Sequence, residues 1–181
     1  EGLLRLDKDE ILPALATNWE ISDDGLSIVF NLRPNVYWED GKKISSADFV
    51  STWKRGLSLP DATLISEFNI VKNVESILKG RDDIDNLGVE CIDDKTLKVL
   101  FEYPINDMLD IFASPGLYPL HPDELKKKRG CVTSGPFQVK NSSLKFWELK
   151  KNTSYWNKEL VQIDIIKTFV IDDYSTQVRM F

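Results

Sequence analysis

Apolar and polar positions alternate most clearly between Leu26 and Arg33, where Leu26, Ile28, Phe30 and Leu32 fall on one side. A period of two marks a strand with one buried face. Ser22-Asp23-Asp24-Gly25 before it supplies turn chemistry, because Asp bonds its own backbone and Gly accepts positive φ. Glu39-Asp40-Gly41-Lys42 is a second such turn. From Ser45 the period changes. Phe49, Val50, Trp53 and Leu57 recur at helical spacing. Ser45, followed three residues on by Asp48, is a weaker relative of the helix capping box. This helix is expected to end near Gly56–Pro60, with a loop at Pro60–Thr63 and a shorter helical piece over Ile65–Leu78.

Val89–Ile92, then Asp93-Asp94, then Thr96–Phe101 reads as a hairpin, with Pro104 stopping its second strand. Met108, Leu109, Ile111 and Phe112 predict one short helix, and Asp123-Glu124-Leu125 opens another. Phe137–Val139, Leu144–Lys150 and Ile163–Ile171 read as three strands. The last is nearly continuously apolar, which predicts burial on both faces. Strands in groups with helices between them predict a mixed α/β (α+β) fold.

Charge narrows the function. The 181 residues carry 23 Lys+Arg against 29 Asp+Glu, a net charge of −6. Nucleic-acid binding needs clustered cations to neutralise phosphates, so an acidic chain argues against that partner. The one basic run, Lys126-Lys127-Lys128-Arg129, reads as a solvated helix end. No apolar run approaches the ~18 residues of a membrane-spanning helix. Glu1 at the start, and an amphipathic stretch that stops at Phe181, lead us to expect an excerpt from a longer protein.

Candidate chemistry is sparse. Asp23, Asp24, Asp40, Asp93 and Asp94 all sit in turns, where backbone roles account for them. Asp82-Asp83-Ile84-Asp85 lacks the spacing and closing Glu of an EF-hand calcium loop. His121, the only histidine, has no partner for a triad or a His-rich metal site. Cys91 alternates with Val89 and reads as a buried free thiol; a disulfide to Cys131, the other cysteine, stays open. Of the five tryptophans, Trp19 and Trp53 read as core, and Trp156 is the candidate for a surface or interdomain role.

In order, the motifs carry more than their composition. Leu12-Pro13-Ala14-Leu15-Ala16-Thr17-Asn18-Trp19 leads through Ser22-Asp23-Asp24-Gly25 into Phe30-Asn31-Leu32-Arg33, Val36-Tyr37-Trp38-Glu39-Asp40-Gly41 and Ala47-Asp48-Phe49-Val50 with Trp53-Lys54-Arg55. Leu87–Leu97, Ser134-Gly135-Pro136-Phe137 and Asn152-Thr153-Ser154-Tyr155-Trp156 follow. Taken together the chain strongly resembles the family 5 extracellular solute-binding proteins, the peptide and nickel group, and among them the oligopeptide-binding proteins.

The resemblance implies a fragment of the periplasmic-binding-protein-like II fold. Residues 1–129 would be its extra small domain and residues 130–181 part of lobe I, with the second lobe of the same chain as a missing partner. It implies no enzyme activity and no cofactor. The function would be capture of oligopeptides between two lobes and delivery to the permease of an ABC importer, in the periplasm or from a cell-surface lipoprotein. The same fold could instead take nickel complexes, haem or a saccharide, or serve a sensor or regulator. The family places an aromatic ligand contact in the loop after the Trp53 helix. That loop, Leu57–Phe68, has no Tyr and only Phe68 as an aromatic, a departure from the pattern. The cleft-facing candidates are therefore Pro60, Asp61, Ala62, Thr63 and Phe68. The path from Pro122 to Gly135 is also shorter than the family's, and missing residues would show as a break between Gly130 and Cys131.

Overall fold

The computed structural model describes residues 1–59, 68–105, 109–123 and 132–171. Its strands are β1 (Leu4–Asp7), β2 (Glu10–Pro13), β3 (Ala16–Ile21), β4 (Ser27–Leu32), β5 (Val89–Asp93), β6 (Thr96–Leu100), β7 (Phe137–Ser142), β8 (Phe146–Lys151) and β9 (Ile165–Phe169). Two helices, α1 (Ser46–Leu57) and α2 (Val74–Leu78), and several 3-10 turns, including Leu109–Ala113 and Pro115–Leu117, join them. The result is a mixed α/β structure. It divides into two units: Glu1–Val36 with Lys43–Gly130, and Tyr37–Lys42 with Cys131–Phe181.

The first unit is organised by an antiparallel sheet in the order β3-β4-β6-β5. The alternation at Leu26–Arg33 becomes β4, with Ile28, Phe30 and Leu32 buried. Ile28 lies opposite Val99 and Phe30 opposite Leu97, so two central strands place their apolar side chains on one face. Phe112 from the first 3-10 turn packs edge-on to Phe30, ring centroids 4.8 Å apart. Each buried aromatic is worth about 2–3 kcal/mol. An exposed ion pair such as Lys54–Asp85 contributes about 0–1 kcal/mol, so burial decides the fold.

Turn chemistry sets the register. Asp24 Oδ1 accepts from Ser22 Oγ at 2.6 Å and from the Leu26 N–H at 3.0 Å. Gly25 takes φ +67°, and a Cβ there would stand 3.0 Å from Pro104 Cβ. Asp93 Oδ1 accepts from the Lys95 N–H, and Thr96 Oγ1 donates to Asp93 Oδ2. These bonds hold the Asp24 and Asp93 carboxyls below their ordinary range, the Ser22 hydroxyl leading at Asp24 and the Lys95 N–H at Asp93. The β1–β2 hairpin turns instead on Lys8 at φ +56°, a residue type that does not announce such a conformation.

The second unit holds a three-stranded antiparallel sheet, β7-β8-β9. Two sequence expectations are corrected by edge positions. Ile163–Ile171 was expected to be buried on both faces, but β9 is the outer strand, with Ile165 48% and Phe169 53% exposed. Its faces have too little cover among the described residues. Cys91 is an exposed free thiol, not a buried one, because β5 is likewise an outer strand. The helix expected from Asp123, the basic run, Cys131 and any break beside it lie outside the described residues.

Gly25→Ala is expected to cost about 1–2 kcal/mol, since an L residue at positive φ is strained and the new methyl meets Pro104; urea denaturation measures it. The two depressed carboxyls stabilise the fold fully above their unfolded value near ~4. That contribution is lost as pH falls through the lower folded values. Denaturation midpoints are therefore expected to drop on acidification from about pH 5, and Asp93→Asn to flatten the slope.

Candidate functional site

The loop that the resemblance assigns to the ligand leaves from the end of α1. The helix is amphipathic and firmly set. Phe49, Trp53 and Leu57 are buried, and the Ser45 N–H donates to Asp48 Oδ2 at 2.9 Å, half of a capping box. Trp53 Nε1 donates to the Leu117 carbonyl at 2.9 Å. Thr52 Oγ1 donates to the Asp48 carbonyl and accepts from the Leu120 N–H at 2.8 Å. One helical face thus grips the 117–120 segment while the next turn ends the helix at Ser58, whose N–H returns to Lys54 and Arg55 carbonyls.

Of the candidate residues, Pro60, Asp61, Ala62 and Thr63 lie outside the described residues. Phe68 is described and has no exposed surface; its ring centroid stands 5.0 Å from that of Trp53. In that position it anchors the returning chain to α1 and offers no contact face to a ligand. Immediately after it, the Val71 N–H bonds the Phe68 carbonyl, and Val71 bridges to Phe101 of the sheet end. Both ends of the loop are therefore fastened to the core.

The remaining polar candidates resolve as structure. Asp83 Oδ1 accepts from the Asp85 N–H and Asp82 Oδ1 from Asn86 Nδ2, so these acids close a 3-10 turn. His121 is buried, and its Nδ1 accepts the Asp123 N–H at 3.1 Å. Among the described residues, no group of three or more His, Cys, Asp or Glu could hold a metal ion. No described helix is long and apolar enough to cross a membrane.

The motifs themselves prove architectural. Arg33 Nε donates to the Ala14 carbonyl at 2.6 Å, and the Arg33 N–H to the Leu15 carbonyl, tying the β2–β3 corner to the end of β4. In the second unit Asn152 is fully buried. Its Nδ2 donates to the Gly135 carbonyl at 2.8 Å, its N–H to the Pro136 carbonyl, and its Oδ1 accepts the Ser154 N–H. The Gly135-Pro136 and Asn152–Trp156 motifs are thus two halves of one clamp. The two motifs lie 17 residues apart in sequence, so their spacing alone does not show the link. The available signal was a short polar residue between a strand and a Tyr-Trp pair.

The family described as bacterial extracellular solute-binding proteins, family 5 (middle), matches residues 10–181. The dipeptide-binding protein DppE of Bacillus subtilis (strain 168) is 30% identical over 197 residues, an alignment covering 100% of this chain and 35% of DppE. The probable deoxycholate-binding periplasmic protein YgiS of Escherichia coli (strain K12) is 30% identical, over 97% of this chain and 35% of YgiS. Among solved structures, the substrate-binding domain of an oligopeptide ABC transporter from Bacillus anthracis superposes with a TM-score of 0.89 at 34% identity. That match covers 99% of this chain and 37% of the other. The chain thus spans about 35% of the length of the curated relatives it matches.

Asn152→Ala removes a buried amide and strands the Gly135 carbonyl, at an expected cost of about 2–3 kcal/mol. Asn152→Asp keeps the shape but replaces the Nδ2 donor, and is expected to destabilise as well. Thermal unfolding of the two variants checks both.

Proposed function

The chain belongs to the family 5 bacterial extracellular solute-binding proteins, and from that membership we propose that it forms part of the peptide-capturing component of an ABC importer. The family consists of binding proteins rather than enzymes. The likeness to the oligopeptide transporter's substrate-binding domain along nearly the whole chain is the observation that carries the peptide reading. In this proposal Glu1–Arg129 is the extra domain, Gly130–Phe181 part of lobe I, and a second lobe elsewhere in the parent protein closes over the ligand.

The proposed mechanism is that of a clamshell. An extended peptide pairs its backbone with protein strands, which gives affinity without strong sequence preference. Hinge closure then buries it, and a membrane permease reads the closed state. The loop at Pro60–Thr63 faces the ligand, held at its return by Phe68. The protein works outside the cytoplasmic membrane, in the periplasm or on a lipid anchor.

A second reading replaces peptide with an amphipathic acid. It is favoured by one observation, the relative named as a probable deoxycholate-binding protein.

Calorimetry on the full-length parent protein with mixed di- to pentapeptides, deoxycholate, nickel and haem discriminates these readings. Micromolar peptide binding is expected; silence toward peptide with binding of another ligand overturns the proposal. The chain alone offers one wall of a two-walled site, so it is expected to bind peptide more weakly than the millimolar range. A micromolar constant for the isolated chain would contradict that.

A further inference from the structure

We draw no further inference here: the strongest candidate, the exposed apolar cluster of Leu144, Trp147, Phe169 and Val170 at the β7–β8 hairpin end of the second unit's sheet, carries nothing because nothing in the structure shows what covers it.

Discussion

The first unit depends on how the start of α1 is fixed to the turn between β5 and β6. Ser46 donates its N–H to the Asp94 carbonyl and its Oγ to the Asp93 carbonyl, at 3.0 and 2.5 Å. Lys95 Nζ reaches back to the Ile44 carbonyl at 2.8 Å, and the Leu32 N–H bonds the Lys95 carbonyl at 2.7 Å. Three segments far apart in sequence therefore converge on one tight turn. Burial, with Lys43 close by, pulls the Lys95 ammonium below the usual lysine range. Its bond to a carbonyl offsets part of that desolvation. Once this end is set, helical geometry aims Phe49, Trp53 and Leu57 inward. Trp53 can then meet both Leu117 and Phe68.

The second unit uses the same device with a different residue. A loop segment and the end of β8 are held by the side chain of Asn152, which bonds both upstream and downstream backbone. Asn suits this position because one amide supplies donors and an acceptor without charge. An Asp could accept from Ser154 but would face the Gly135 carbonyl with no proton to give. On the β7–β8 pair, Glu148 plays a lesser part: Asn141 first and then Lys140 hold its carboxyl below the usual range. That pairing is partly open to water and worth correspondingly little.

What was legible in the sequence follows from where the information is stored. β4, α1 and β6 were legible because each buries one face, and burial writes a period into the chain. β1 and β2 were not, because their turn rests on Lys8 in a left-handed conformation rather than on Gly or Asn. The burial of Cys91 and of the Ile163–Ile171 stretch was misread for a different reason. An apolar residue records the environment it needs, while the strand's place in the sheet decides what surrounds it within this chain. Of the candidate loop, Phe68 showed why an aromatic at a family contact position is weak evidence. A ring beside a buried Trp53 gains about 2–3 kcal/mol from packing, which already accounts for an aromatic there.

The residues that identify the family are thus mostly those that hold it up. Arg33 fastens Ala14, Asn152 fastens Gly135, and the turn at Asp24-Gly25 fits against Pro104. Such residues are constrained by backbone carbonyls and φ values, which do not change when the ligand changes. A binding loop is constrained by its ligand and by its two anchored ends. Ser58 is held by its bonds to α1 and Phe68 by the Trp53 ring. Family membership is therefore strong information about scaffold and weak information about the bound molecule.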